Sequence, residues 1–258
     1  EDLGDDTLII GTSGRYEFKN KGIDVFLESL NRLNRDKDLK KKVLAFVNVP
    51  SWVGDPREDL QKRLKSKDKF TEPLQCPFIT HWLHNMTHDQ VLDMLKYLGM
   101  GNRPEDKVKV IFVPCYLDGK DGILNKHYYD LILGEDLSVY PSYYEPWGYT
   151  PLESVAFRVP TITTDLAGFG LWVNSLKNQH GINDGVEVLH RSDYNYSEVA
   201  DGIKDTVALF STKTEAEIKE IRKRAGQVAE QALWKHFIQY YYEAYDIALR
   251  NAMKRQLK

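Results

Sequence analysis

Residues 143–153 read Tyr-Tyr-Glu-Pro-Trp-Gly-Tyr-Thr-Pro-Leu-Glu, and this stretch indicates a turn from a strand into a helix. It follows a short apolar run at residues 137–141 that is typical of a buried strand. Toward its end, Thr150 is predicted to be the N-cap of a helix, with Pro151 at the first helical position and Glu153 three residues after the cap. A strand that leads directly into a helix in this way is the repeating unit of an α/β fold.

The predicted helix start is suited to bind an anion beside sugar hydroxyls. Its unpaired backbone N–H groups and the helix dipole favour a phosphate, which Gly148, Tyr149 and Thr150 would cradle. Glu145 and Glu153, eight positions apart, offer carboxylate oxygens that accept hydrogen bonds from hydroxyl groups. An ordinary capping box on a crossover helix would explain residues 150–153 taken alone. The wider sequence, described below, favours a pocket for a nucleotide sugar.

Strand and helix patterns alternate along the chain, which predicts an α/β fold with a Rossmann-like parallel sheet and helices on both faces. The runs of residues predicted to form its strands lie at 8–10, 43–49, 108–113, 137–140, 161–163 and 186–189. Between the first two runs, apolar residues recur at helical spacing from Ile23 to Leu30. Ligands of such sheets bind at the carboxyl ends of the strands. We therefore expect the loops after Ile10 and Tyr140 to form the site.

Two further segments lie outside this alternation, although all 258 residues are assigned to one domain. Residues of about 51–105 are interpreted as an insertion, in which the charged residues 54–70 form a solvated helix and residues 89–98 a crossover helix. Residues of about 214–258 are rich in helix formers and carry an aromatic stripe that we expect to pack in the core rather than to bind sugar. This stripe consists of Phe237, Tyr240, Tyr241, Ala244 and Tyr245.

The composition indicates a globular protein of a reducing compartment, which favours the cytoplasm. With 42% hydrophobic residues the chain can fill a core, and its net charge of −3 gives no reason to expect a nucleic-acid or membrane partner. Two cysteines, Cys76 and Cys115, are too few for a disulfide framework or a four-thiolate metal site. Cys115 ends an apolar run, so we expect a small buried residue rather than a nucleophile. The acidic first residues do not indicate export.

Several segments match one known family in order along the chain. Residues 14–22 read GRYEFKNKG, residues 84–86 read HNM, residues 108–112 read VKVIF, and residues 160–164 read PTITT, followed by GFG at 168–170. Together with the two glutamates in E-x7-E spacing, these segments resemble the glycogen synthases of animals and fungi, which are retaining glycosyltransferases of GT-B architecture. The resemblance implies that the chain is the C-terminal, donor-binding domain, and that the N-terminal acceptor domain is absent from it.

The resemblance also implies an activity and its partners. The expected reaction is transfer of glucose from UDP-glucose to the non-reducing end of an α-1,4-glucan, glycogen, without a metal or other cofactor. The N-terminal GT-B domain of the same protein is an expected partner, and the 258-residue chain alone is expected to be inactive. Two alternatives stay open. One is a related GT-B transferase with another acceptor or with ADP-glucose as donor, and the other is a non-catalytic module that binds a sugar nucleotide.

The resemblance assigns roles to individual residues. Arg15 and Lys21 would act in catalysis by neutralising the donor diphosphate, which is the work of a divalent ion in metal-dependent transferases. Glu145 would bind the glucose hydroxyls near the reacting carbon and Glu153 the ribose hydroxyls. Because the predicted helix places Glu153 in the first turn, we expect the helix dipole to keep it ionised and a poor proton donor. Tyr128 would stack on the uracil, so the preference for uridine rests on resemblance and on no named hydrogen bond.

Two other clusters of residues are candidates for different sites, one for a metal ion and one for a regulatory ligand. His81, His84 and His88 have offsets that could share a helix face and hold a metal, but no fourth ligand is evident and the family is metal-independent. The family also has an arginine cluster that senses glucose-6-phosphate. Here the comparable stretch keeps only Arg222 and Arg224, which puts that control in doubt.

Overall fold

The computed structural model describes residues 4, 6–70, 72–177, 179 and 181–256. Its strands are β1 (Leu8–Ser13), β2 (Val43–Asn48), β3 (Val53–Pro56), β4 (His81–Leu83), β5 (Val108–Val113), β6 (Leu137–Val139), β7 (Thr161–Thr164) and β8 (Val186–Leu189). Its α-helices are α1 (Ile23–Asn34), α2 (Glu58–Lys65), α3 (Gln90–Tyr97), α4 (Tyr128–Leu133), α5 (Tyr149–Ala156), α6 (Gly168–Asn174), α7 (Tyr196–Phe210), α8 (Glu215–Gln231) and α9 (Trp234–Gln256). A short 3-10 helix spans Ile182–Asp184.

A six-stranded parallel sheet forms the centre of the molecule, in the order β5-β2-β1-β6-β7-β8. All six predicted strands are present, which confirms the predicted α/β fold. Leu8 pairs with Val43, and Val43 pairs with Val108, so β1, β2 and β5 are in register and their carboxyl ends meet at one edge. The chain order reverses direction at β1, with β2 on one side and β6 on the other. Open sheets of this kind bind ligands at such a switch point.

The helices pack in two groups around the sheet. The first group is α1 with α3 and α7, and the second is α5 with α6 and α8. The apolar residues predicted from helical spacing in α1 are buried, Phe26 and Leu27 completely. Because parallel strands are covered on both faces, their side chains are nearly all buried, which explains why a strand such as β2 could be recognised from a continuous apolar run.

The segment between β2 and β5 forms a small antiparallel ribbon, β3 and β4, and two helices. Helix α2 has no buried residue, which confirms a solvated helix, whereas α3 buries Val91 and Leu95. A completely buried Arg57 anchors this segment. Its guanidinium donates hydrogen bonds to the carbonyl oxygens of Gln75, at 2.7 Å, and Cys76, at 2.6 Å. Burying this cation is tolerated because its N–H groups have acceptors.

The aromatic stripe of α9 departs from the prediction. Tyr240, Tyr241 and Tyr245 are 58%, 49% and 57% exposed, so the expectation that they pack in the core is wrong. Phe237 alone among the aromatic residues of the stripe packs on the sheet domain, with its ring centroid 5.5 Å from that of Trp172. The reason is that α9 extends beyond the residues on which its first turns pack, so its later side chains are exposed. No helix among the described residues is long and apolar enough to cross a membrane.

Candidate functional site

A cavity of about 350 Å³ opens at the carboxyl ends of the strands, where the sequence predicted the site. The ends of β1, β2 and β5 form its floor, and the first residues of α4 and α5 form one wall. Its lining consists of Ser13, Gly14, Asn48, Pro50, Cys115, Tyr116, Leu117, Asp118, Tyr128 and Thr150. Of the predicted donor-binding residues, Tyr128 and Thr150 therefore line one common cavity.

Lys21 and Glu145 come together beside this cavity. The ammonium group of Lys21 contacts the carboxylate of Glu145, although the two residues are 124 positions apart, and both side chains are largely buried. Gly22 makes this approach possible, since it has a left-handed φ of 67° and lies against Pro141. The loop between β1 and α1 is thus held against the end of β6. Two of the three residues assigned to catalysis form one ion pair.

Arg15 lies apart from this pair. Its side chain is 75% exposed, and its Nε is 3.2 Å from a carboxylate oxygen of Glu17 in the same loop. An exposed ion pair of this kind contributes little to stability. The structure therefore leaves the Arg15 guanidinium able to exchange Glu17 for a bound anion, whereas Lys21 is already directed at the site.

The start of α5 differs from the prediction. The N-cap is Gly148, at a left-handed φ of 106°, and the helix begins at Tyr149, so the predicted capping box at Thr150 is wrong. Gly148 can turn the chain into the helix two residues earlier, because it has no side chain to oppose a positive φ. Pro151 still falls within the first turn, where its missing N–H has no intrahelical acceptor to lose. The backbone N–H groups of Tyr149 and Thr150 remain available for an anion.

Glu153 consequently lies in the second turn of α5, and the first turn contains no acidic residue. The premise that Glu153 lies in the first turn, nearest the positive end of the helix dipole, is therefore wrong. Burial raises the pKa of Glu153, and a hydrogen bond from the Tyr129 hydroxyl, at 3.2 Å, opposes that shift. Tyr129 was not predicted from the sequence. Tyr129 follows Tyr128 in the first turn of α4. Of these two adjacent side chains, Tyr128 lines the cavity and Tyr129 contacts Glu153.

A chain of hydroxyl groups lies under the cavity. The hydroxyl groups of Tyr128 and Ser13 are 2.6 Å apart, and Ser13 is 3.5 Å from the hydroxyl of Tyr140. Tyr140 in turn is 2.8 Å from the hydroxyl of Ser154. Burial raises the pKa of Tyr128 and raises that of Tyr140 to about 12, so both phenols stay protonated. This network joins β1, β6, α4 and α5 and fixes the position of the Tyr128 ring.

The side chain of Tyr149 does not reach this cavity. It is 72% exposed and lines a separate depression of about 540 Å³ with Trp147, Trp172 and Phe237. The ring centroids of Trp147 and Phe237 are 5.5 Å apart. Only the backbone of Tyr149 is placed to face a ligand at the start of α5.

The three histidines considered for a metal do not share a helix face. His81 lies on β4, His84 and His88 follow it, and α3 begins only at Gln90, so that geometric premise is wrong. His81 instead lies with Cys115 and Asp121, with ligand atoms within 4.8 Å of one another. Its ring nitrogens already contact the Thr80 hydroxyl at 2.9 Å and the Asp121 carbonyl oxygen at 2.7 Å.

Both cysteines are free thiols, and Cys115 is buried, as predicted. Burial, with a contribution from Asp121, raises the pKa of the Cys115 thiol to about 12. A neutral thiol is a poor nucleophile. The contacts of His81 with Thr80 and with the Asp121 carbonyl oxygen tie β4 to the loop that follows β5.

The two arginines of α8 each have acidic partners. Arg222 donates to the carbonyl oxygen of Glu135 at 2.6 Å and lies 3.5 Å from Asp136. Arg224 lies 2.7 Å from a carboxylate oxygen of Asp184. Both guanidinium groups are thus paired in this structure.

A family model described as "Glycogen synthase" matches residues 2–59 and 54–258. The two matched ranges overlap at residues 54–59, in β3 and at the start of α2. A glycogen [starch] synthase of Neurospora crassa is 29% identical over 304 residues, covering 96% of this chain and 42% of its own length. Isoform 2 of Saccharomyces cerevisiae is 29% identical over 98% of this chain and 44% of its own length. A glycogen [starch] synthase of Caenorhabditis elegans is 32% identical over 72% of this chain and 35% of its own length.

A solved structure supports the fold. The pneumococcal O-GlcNAc transferase in complex with UDP and GlcNAc superposes with a TM-score of 0.51 at 13% identity, covering 94% of this chain and 36% of its own. The chain thus spans less than half the length of the curated relatives that it matches.

Proposed function

Because this chain belongs to the glycogen synthase family, we propose that it is the donor-binding half of a retaining glucosyltransferase. In the proposed reaction, the complete enzyme transfers glucose from UDP-glucose to the non-reducing end of an α-1,4-glucan, glycogen, in the cytoplasm. The bond between the anomeric carbon of glucose and the diphosphate oxygen breaks, and UDP leaves with the bonding electrons. The oxygen of a glucan hydroxyl group bonds to that carbon, and its proton passes to the leaving diphosphate. The relatives are more than twice as long as this chain, and we assign the acceptor site to an N-terminal domain of the same protein.

The observation that carries this proposal is the contact between Lys21 and Glu145. Lys21, just before α1, provides a cation for the diphosphate, and Glu145, in the loop after β6, provides acceptors for the hydroxyl groups of the uncharged sugar. When the donor binds, its diphosphate would form an ion pair with Lys21. Glu145 would then be free to accept hydrogen bonds from the glucose hydroxyls. Without the donor, each of these two side chains is therefore the binding partner of the other, in place of the diphosphate for Lys21 and of the glucose hydroxyls for Glu145.

Charge stabilisation follows from the same arrangement. Negative charge grows on the diphosphate as the bond to the anomeric carbon breaks, and groups aimed at that charge lower the barrier. Lys21, Arg15 and the backbone N–H groups at the start of α5 are positive groups that would serve this purpose. With these cations in place, we propose that no divalent metal is required. Glu153 and Tyr129 would hold the ribose, since they form a hydrogen bond next to two residues that line the cavity: Tyr129 is adjacent to Tyr128, and Glu153 lies one helical turn beyond Thr150.

The exposed part of α9 is the proposed contact with the N-terminal domain. Tyr240, Tyr241, Tyr245, Ile247 and Leu249 are each about half exposed or more. A row of large apolar side chains along one helix favours burial against another protein surface. The missing half of the enzyme is the partner for which the length of the relatives argues.

The test is an assay of glucan extension by the full-length protein, with labelled UDP-glucose, with and without a chelator. We expect transfer to glycogen that survives chelation and that Lys21→Ala reduces by at least about 100-fold, on the order of an oxyanion-hole donor. Lys19→Ala removes the same charge from an exposed position in the same loop and serves as the control. Absence of any transfer from UDP-glucose would overturn the proposed function. Equal activity of Lys21→Ala and Lys19→Ala would overturn the role of Lys21 alone.

A further inference from the structure

Asn48 is a buried polar residue at the site that has no hydrogen-bond partner for its side-chain oxygen. It is the last residue of β2 and is 5% exposed. Its Oδ1 atom makes no hydrogen bond to any residue that the structure describes. Buried acceptors without partners destabilise a fold, and they are rare for that reason. An exception that lines a cavity is an indication of a ligand.

The position of Asn48 relates it to the ring of Tyr128. In the sheet Asn48 pairs with Ser13 of β1, and neighbouring residues in a parallel pair present their side chains to the same face. Ser13 is the residue whose hydroxyl holds the hydroxyl of Tyr128 at 2.6 Å. All three residues line the cavity of about 350 Å³. The carboxamide with the unpaired oxygen therefore lies beside the aromatic ring that is proposed to stack on the base.

On the basis of the proposed donor site, we infer that Asn48 recognises the base of the nucleotide by pairing with the imide edge of uracil. This edge presents an N–H donor at N3 directly beside a carbonyl acceptor, and a carboxamide offers the complementary acceptor and donor. The N3–H group would satisfy the unpaired Oδ1, and the side-chain NH₂ would donate to the adjacent uracil carbonyl. The hydroxyl of Ser13 is less able to bind the base, because it already forms a hydrogen bond with the hydroxyl of Tyr128.

The ring of Tyr128 and the carboxamide of Asn48 have different roles in binding the base. Stacking on Tyr128 holds any base, because every base has an aromatic face. Asn48 adds hydrogen bonds that depend on which atoms lie at the edge of the base. The inference thus gives the site a specificity-determining residue, where resemblance alone supported the preference for uridine.

The test compares UDP with 3-methyluridine diphosphate, in which a methyl group replaces the N3–H donor, by calorimetry on the 258-residue chain. For the wild-type chain we expect methylation to weaken binding by about tenfold or more, the effect of leaving a buried acceptor unpaired. Asn48→Leu should weaken UDP binding by a similar factor and should bind both nucleotides equally. Leucine keeps the bulk of the side chain, so a purely steric penalty of the methyl group would persist in this variant.

Thr163→Val is the matched control. Thr163 lies in β7, is completely buried, and carries the other side-chain oxygen that lacks a partner among the described residues. Removing either unpaired group should leave the apo chain at least as resistant to thermal unfolding as the wild type. Only Asn48→Leu should lose affinity for UDP.

The outcomes separate two failures. A folded wild-type chain that does not bind UDP would overturn the proposed function together with this inference. A wild-type chain that binds UDP and its 3-methyl analogue equally would overturn the inference alone. The same holds if Asn48→Leu binds UDP as tightly as the wild type does.

Discussion

The carboxyl group of Glu135 occupies the space beside Gly11 in which a side chain would otherwise lie. A Cβ atom at Gly11 would be 2.0 Å from Oε1 of Glu135. Glu135 is only 4% exposed, and its other oxygen accepts a hydrogen bond from Ser138 at 2.6 Å. Burial raises its pKa from 4.5 to about 8, Asp136 adds to the shift, and the hydrogen bond from Ser138 opposes it. The absence of a side chain at Gly11 thus allows a neutral carboxylic acid within the sheet layer.

This buried acid predicts a pH dependence of stability. Between pH 4.5 and about 8 the folded chain holds a proton that the unfolded chain has released. The contribution of Glu135 to stability is therefore full below pH 4.5, falls as the pH rises through this window, and is lost above it. Urea unfolding from pH 5 to 8.5 should show a decline of the order of a few kcal/mol. Glu135→Gln keeps the shape and removes the titration, so its decline should be smaller, and parallel curves would contradict the assignment.

A second prediction concerns the close approach of Gly22 to Pro141. A Cβ atom at Gly22 would lie 2.0 Å from the carbonyl oxygen of Pro141, at a φ of 67°. Gly22→Ala should lower the free energy of unfolding by roughly 2–4 kcal/mol and should weaken UDP binding, because it displaces the loop that carries Lys21. Gly99 has a similar φ of 70° with nothing within 4 Å. Gly99→Ala should cost only about 1 kcal/mol of backbone strain and leave UDP binding unchanged. Equal losses would show that the contact with Pro141 does not matter.

The strands of this fold could be predicted because their chemistry is local. Residues 43–47 are apolar without interruption, and a strand covered on both faces needs that pattern. The start of α5 could not be predicted, since Thr-Pro-Leu-Glu satisfies the capping rule and only the left-handed Gly148 shows that the helix begins earlier. Exposure of Tyr240 could not be predicted either, because it depends on which surface is present to cover α9.

The candidate site was predicted in its residue types but not in its contacts. The signature stretch indicated Glu145 and the glycine-flanked loop indicated Lys21, yet their contact depends on how two distant loops are held. Asn48 gave no signal, because an asparagine at the end of an apolar strand is typical of a turn. Ser13 could have been found as a polar residue at the carboxyl end of the first strand.

A third prediction tests the exposed cation. Arg15→Ala should weaken UDP binding to the chain by roughly 1.5–3 kcal/mol, through loss of a charge-assisted fork to the diphosphate. Lys19→Ala, in the same loop and also exposed, should have a much smaller effect. Calorimetry gives the affinities, and circular dichroism checks the fold. Unchanged affinity of a folded Arg15→Ala variant would show that Glu17 keeps this guanidinium out of the site.

A fourth prediction separates the two glutamates in the full-length enzyme. Glu145→Gln should depress kcat far more than donor affinity, because its proposed contact is with glucose near the reacting carbon. Glu153→Gln should act mainly on donor affinity, through the ribose. Tyr129→Phe removes the hydroxyl that binds Glu153 and should resemble Glu153→Gln in direction, with a smaller effect. Steady-state kinetics and UDP titrations distinguish the two patterns, and reversed patterns would show that the roles are exchanged.

The last prediction concerns the 258-residue chain by itself. The groups proposed to bind the donor lie on this chain, in the loops after β1 and β6, at the end of β2, in α4 and in α5. Transfer with retention also requires a surface that seats the glucan, excludes water and holds the acceptor hydroxyl against the anomeric carbon. We propose that the N-terminal domain supplies this surface, so the chain alone should bind UDP weakly, without a divalent metal, and should transfer no glucose to glycogen. Titration of UDP in the presence of EDTA measures the binding, and incubation with labelled UDP-glucose and glycogen measures the transfer. Extension of glycogen by the purified chain would show that these groups suffice for catalysis and that the acceptor site has been assigned to the wrong part of the protein.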